Sequence, residues 1–149
     1  MSTPYRFDSV WHLQASRRRV YTTLADIEGY LRWWPQVREI GHIDADSARV
    51  KIRSLLPYTL DLVLSRAIQD EAGGILRVNI EGDLQGWCAW ELSDESACTR
   101  AGFSQEVVVM APLLGRAPSA LRPLLRANHA LLMRAGESGL RTYLDSLPS

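Results

Sequence analysis

Lysine is almost missing from this chain: Lys51 stands alone beside sixteen arginines. The 17 basic residues are matched by 17 acidic ones, so the formal net charge is zero. A protein built to hold a nucleic-acid backbone carries a basic excess or stripe. Here the one basic block is Arg17-Arg18-Arg19, read as an exposed helix face, and no nucleic-acid partner is expected. Cysteine is scarce as well. Cys88 and Cys98 fall in strand-like sequence, with no CxxC and no histidine at ligand spacing. They read as reduced structural thiols, and no metal or other cofactor is expected. No apolar run approaches the ~20 residues a membrane helix needs, and Met1 to Arg6 has no signal-type apolar core. The expectation is a cytoplasmic protein without integral membrane association, monomer or homodimer. Repeats, low-complexity stretches and linkers are missing too, so residues 1–149 are expected to form one domain. An apolar share of 46% over 149 residues is enough for a core without staples.

Catalytic signatures are equally thin. His12, His42 and His129 are far apart in the chain, and there is no GxSxG and no glycine-rich phosphate loop. Asp61, Asp70, Glu81, Asp83, Glu91 and Glu106 fall on expected outward faces or turns, so no general acid/base pair is assigned. No catalytic residue is named.

What the chain has in abundance is period-two alternation. Tyr5 to Leu13 predicts a first strand with Tyr5, Phe7, Ser9, Trp11 and Leu13 on one face. Ser16 is a candidate N-cap for a helix through Leu24, with Val20 and Leu24 facing inward. Asp26 to Leu31 suits a second short helix, closed off by Pro35. From Val37 the pattern predicts strands over 37–43, 48–56, 58–68, 75–80, 87–92 and 97–110. Leu60, Leu62, Leu64, Arg66 and Ile68 share a parity, as do Leu76, Val78 and Ile80, then Cys88, Trp90 and Leu92. Ala101, Phe103, Gln105, Val107 and Val109 form the inner face of the last strand. Arg66 either sits at a strand end and snorkels to water or offers a cation to an interior. Gln69 to Gly74 and Ser93 to Ser96 read as turns, and Gly82 and Gly86 as a bulge or bend in a curved sheet. Short connections imply an antiparallel meander, whose inner face needs a cover.

The cover is the stretch Ser119 to Leu144, read as one long amphipathic helix. Its polar side holds Arg122, Arg126, Arg134, Glu137, Arg141 and Asp145; its apolar side holds Leu121, Leu125, Leu132, Ala135, Gly139 and Tyr143. Asn128 falls in the middle of the apolar side, with His129 and Met133 at one edge. A buried amide needs a partner, and a strand end or Gln105 is available to Asn128. Ala135, Gly136 and Gly139 either admit the sheet closely or leave room for a ligand; with bulky leucines before them, close packing is expected at the glycine end. Trp33-Trp34-Pro35 places two indoles at one corner. Either both pack, or one plugs the core while the other covers a cavity mouth or a docking patch for a partner protein.

In these residues the chain resembles the START / birch-pollen-allergen-like (SRPBCC) superfamily, in particular its bacterial polyketide cyclase/dehydrase-like branch. The matching pieces are Trp11-His12-Leu13 with Ala15-Ser16, Trp33-Trp34-Pro35, Leu56-Pro57-Tyr58, Gly82-Asp83-Leu84-Gln85-Gly86 running to Trp90, Thr99-Arg100, and Asn128-His129 with Met133, Gly136, Gly139 and Leu140. The resemblance implies an α+β helix-grip fold: a curved antiparallel sheet of about seven strands wrapped around a long C-terminal helix, with two short helices after strand 1. It also implies an internal cavity for a hydrophobic or aromatic small molecule, lipid-, polyketide- or quinone-like, or else an aromatase/cyclase that works by positioning its substrate. Sites are grafted onto folds, so the chemistry does not follow from the family. Combined with the inner parities, the expected ligand cavity is lined by Trp34, Tyr58, Leu62, Arg66, Val78 and Trp90 from the first part of the chain. Phe103, Gln105, Asn128, His129 and Met133 complete it. Gln105 departs from the branch, which leads one to expect a bulky aromatic there.

Overall fold

The first strand forms where alternation predicts it. β1 (Tyr5–Leu13) turns Tyr5, Phe7, Ser9, Trp11 and Leu13 to the more buried side. The computed structural model describes residues 4–53, 59–110 and 122–147. Ser16 caps α1 (Arg17–Ala25): its Oγ accepts from the Arg19 N–H at 3.2 Å. Val20, Tyr21 and Leu24 of α1 are buried. The second short helix is a single 3-10 stretch, Ile27–Arg32, started by the Asp26 carboxylate accepting from the Gly29 N–H.

Six strands follow: β2 (Val37–His42), β3 (Ser47–Ile52), β4 (Leu60–Asp70), β5 (Ile75–Gly82), β6 (Leu84–Glu95) and β7 (Cys98–Val109). Every pair is antiparallel, in the order β1-β7-β6-β5-β4-β3-β2. The first strand closes against the last, and α1 with the 3-10 helix carries the chain from one edge of the sheet to the other. The long helix α2 (Arg122–Ser146) ends the chain's described structure. This is the seven-stranded helix-grip architecture. The Leu56-Pro57-Tyr58 segment, including the cavity candidate Tyr58, lies outside the described residues, as do Ser119 and Leu121 of the expected helix.

Three details differ from the sequence expectation. Alternation in β4 does not run through to Ile68: Arg66 pairs with Val78 but Ile68 with Arg77, so Ala67 is an extra residue in a bulge and Ile68 is 44% exposed. The turn expected at Ser93–Ser96 is two residues further on. Glu95 pairs with Cys98, and Ser96 and Ala97 alone make the turn at φ 41° and 68°. That is the primed hairpin geometry, which usually selects Asn-Gly. Polar Ser93-Asp94-Glu95 resembled a turn but is the exposed end of a long ribbon. Finally, β6 starts at Leu84, before the expected Trp87. Gly86 makes this possible: at φ 157° it sits where a β-carbon would overlap the Glu106 carbonyl oxygen, so the strands close up as the sheet bends.

The helix is rolled relative to its predicted face. Met133, Gly136, Leu140 and Leu144 form its buried stripe, while Leu125, Leu132, Ala135, Gly139 and Tyr143 are only half-buried. Two contacts set the roll. A β-carbon at Gly139 would overlap the Trp33 carbonyl oxygen, and one at Gly136 would lie 2.5 Å from Trp34 Cε2. The glycines thus admit the Trp33-Trp34 corner rather than the sheet itself. Trp34 Nε1–H then donates to the Leu132 carbonyl at 2.9 Å. On the other flank, residues of the expected polar side serve the β1 edge. Arg126 donates to the Arg6 carbonyl, Arg141 to the His12 carbonyl, and Glu137 accepts from the His12 N–H. An edge strand's open main-chain groups are thereby satisfied.

Both indoles of the corner are buried, Trp33 at 4% and Trp34 at 7% exposure, and they stack at 5.3 Å between centroids. Neither forms a docking patch. Trp11 meets Trp34 edge-on at 5.5 Å and Trp90 at 4.7 Å. The core falls into two parts: a large cluster around these rings, with Leu140 and Leu144, and a small one of Leu62, Ile80 and Val107.

Gly139→Ala separates sterics from helix propensity. Propensity alone favours alanine by about 1 kcal/mol; the backbone overlap with Trp33 should outweigh it and destabilise by about 3 kcal/mol. Urea unfolding of the variant measures the sign. At the hairpin, Ala97→Gly should relieve a left-handed residue and stabilise by about 1 kcal/mol, a rise of about 2–4 °C in thermal midpoint.

Candidate functional site

Where the Trp corner holds the C-terminal half of α2 close, its N-terminal half stands off the sheet. The gap is a cavity of about 200 Å³ with a wall that is almost wholly apolar. Strands supply its floor and sides: Leu62 and Arg66 from β4, Val78 from β5, Trp90 from β6, Phe103 and Gln105 from β7. Asn128, His129 and Met133 of α2 form the roof, and Trp34 closes the glycine end. All the cavity residues read from the sequence that are described line this one space. The cavity is smaller than the several hundred cubic ångströms typical of drug-sized sites.

The polar groups on its wall are few. Gln105 is 9% exposed, and its Oε1 accepts from His129 Nε2 at 2.8 Å. The sequence offered Asn128 either a strand end or Gln105 as partner; Gln105 is taken by the next residue, because the roll of α2 brings His129 toward β7. The imidazole also lies flat on Phe7, centroids 3.8 Å apart and planes within 8°. Burial pushes its pKa down to about 4, helped by the nearby Arg126 charge, so the ring is neutral at pH 7. Neutral, it has one N–H, and Nε2 donates it to the Gln105 oxygen.

Arg66 follows neither of its two sequence readings in full. It lines the cavity, yet its Nη1 and Nη2 donate to the Ala45 and Ala25 carbonyls. Its Nε is fully buried and has no partner among the described residues, so that atom is not presented to a ligand. The guanidinium ties the end of α1 to the β2–β3 turn.

Several wall residues were not anticipated. Tyr30 lines the cavity from the 3-10 helix, and its hydroxyl donates to the Leu24 carbonyl at 2.6 Å. Burial raises its pKa well above the ordinary tyrosine value. The Cys88 thiol is pushed up to about 12 by burial, which keeps it protonated and a poor nucleophile. Phe7, Leu125 and Leu132 also line the space. The inner parity of β1 and β6 could have named Phe7 and Cys88, whereas a 3-10 helix has no period that marks Tyr30 as inward. No group of three or more potential metal ligands occurs among the described residues.

With this geometry in hand, known structures can be compared. Zhui aromatase/cyclase from Streptomyces sp. R1128 superposes with a TM-score of 0.77 at 15% identity, covering 96% of this chain and 94% of that one. A START superfamily protein from Mycobacterium smegmatis gives 0.75 at 13% identity, over 96% and 99%. The protein TTHA0849 from Thermus thermophilus gives 0.75 at 19% identity, over 96% and 100%. No family sequence profile matches the chain, and no curated protein does. The likeness is one of fold: the chain shares the helix-grip architecture of these structures. No helix among the described residues is long and apolar enough to cross a membrane.

The neutral His129 makes stability depend on pH. Between pH 6.5 and about 4 the unfolded chain binds a proton there that the folded chain refuses. The stability this confers is complete above pH 6.5 and is lost as pH falls toward 4, by roughly 3 kcal/mol at most. Thermal midpoints across that range should fall less steeply for His129→Phe than for the wild type. Equal slopes would mean that some other group is held neutral.

Proposed function

We propose that the chain binds a small, mostly apolar molecule, aromatic or quinone-like, between the sheet and α2. The observation that carries this is the cavity of about 200 Å³, apolar except for a few side chains on its wall. Tight interiors rarely leave such space, and a dry apolar cavity of about 150 Å³ is known to take up benzene. The volume suits one or two rings better than a long acyl chain. Two free cysteines fit a reducing, cytoplasmic setting.

A second reading, aromatase/cyclase-like catalysis by substrate positioning, is favoured by the likeness to Zhui aromatase/cyclase. Gln105, Asn128 and Arg66 would then stabilise or orient a folded polyketone. The volume speaks against a long substrate, and the high pKa of Cys88 against covalent chemistry there.

Bicyclic aromatics should raise the thermal midpoint, with about 2.7 kcal/mol of stabilisation at a hundred times Kd, while C16 fatty acids should not. Recovery of the ligand unchanged supports binding alone; cyclised product from a short polyketone would support the second reading. No stabilisation by any aromatic would refute the first.

A further inference from the structure

We propose that the cavity selects a neutral one- or two-ring molecule bearing a carbonyl or similar bare acceptor, read by the Gln105 amide nitrogen. This rests on the binding reading above and adds the ligand's polar handle. A primary amide is double-ended: left to rotate, it serves donors and acceptors alike. His129 removes the ambiguity. Its Nε2–H points at Gln105 Oε1 across 2.8 Å. The ring is held flat against Phe7, 3.8 Å away, and also faces Phe103 at 6.1 Å. With Nε2–H as the donor, the amide oxygen is committed. The NH2 is then the end of Gln105 not committed to His129, on a wall shared with Phe103, Val107 and Cys88.

The surroundings sharpen the choice. A donor facing an apolar space is unfavourable until an acceptor meets it. A carbonyl ligand supplies that acceptor and a hydrocarbon of the same shape does not. The cations around the wall are engaged elsewhere: Arg66 donates to two main-chain carbonyls, Arg77 lies over the Trp87 ring, and Arg126, whose charge reaches His129, donates to the Arg6 carbonyl. A neutral carbonyl is therefore matched better than a carboxylate, which would have to give up its water without gaining a free counter-charge. His129 acts through Gln105 and is a positioning residue.

The test compares 1-tetralone with tetralin, which has the same two rings without the carbonyl. Kd values for both are measured by calorimetry on the wild type, Gln105→Met, Gln105→Leu and His129→Phe. Expected is a tetralone-to-tetralin affinity ratio that drops about tenfold in both Gln105 variants, because the contact to a single donor is lost. His129→Phe should lower the ratio by less, since the donor is still present but no longer aimed. In the wild type, the Gln105 side-chain NH2 resonances should move with tetralone and stay with tetralin. That measurement needs no variant to fold. An unchanged ratio, or NH2 resonances indifferent to tetralone while both compounds bind, overturns the proposal and leaves the cavity reading intact. Failure of both compounds to bind the wild type removes the two together.

Discussion

The position of α2 depends on one close approach, that of its Gly136–Gly139 segment to the Trp33-Trp34 corner. No side chain could stand at Gly139 without meeting the Trp33 main chain. The Trp34 indole is fastened to the helix backbone through Leu132. A helix is stiff over seven turns, so fixing one half determines how far the other half stands from the sheet. The same contact that makes one end of the core dense makes the other end hollow. Around the dense end, Trp11, Trp33, Trp34 and Trp90 interlock at centroid distances from 4.7 to 6.3 Å.

Polar side chains at the hollow end serve the protein before they serve a ligand. Tyr30 bonds to Leu24, Arg66 to two carbonyls, and His129 to Gln105. Burial keeps Tyr30 and Cys88 protonated and His129 unprotonated. Each of these groups is thus held away from the protonation state that would make it a nucleophile or a cation. The arrangement is suited to holding a molecule in a weakly polar enclosure. Its likeness to START and aromatase/cyclase structures is a likeness of scaffold, on which binding and catalysis are both possible.

Much of this was legible in the sequence, for reasons that can be located. A half-buried strand writes its inner face directly into period-two alternation, and so β1 and β7 emerged with the correct parity. The described candidates from β4 to β7, from the long helix and from the Trp corner lie around one cavity. Errors arose where position depends on a partner distant in sequence. Ala67 bulges because of how β4 registers with β5, and nothing local marks it. The roll of α2 comes from two indoles about a hundred residues upstream and from open groups on β1, so a helical wheel that weighs only hydrophobicity puts Asn128 rather than Met133 at the centre. The same roll brings His129 to Gln105. Ser96-Ala97 shows the converse: local composition pointed to a turn, and strand pairing moved it.

The unequal division of the core bears on how anything enters. Most buried side chains belong to the tryptophan cluster, whereas Leu62, Ile80 and Val107 form a separate, sparse group at the far end. Regions with few packed contacts open locally at lower cost than the molecule unfolds. Breathing of that sparse end would widen an aperture while the indole anchor keeps the roof in place. An enclosure anchored at one end only would let a bound molecule exchange without the whole fold coming apart.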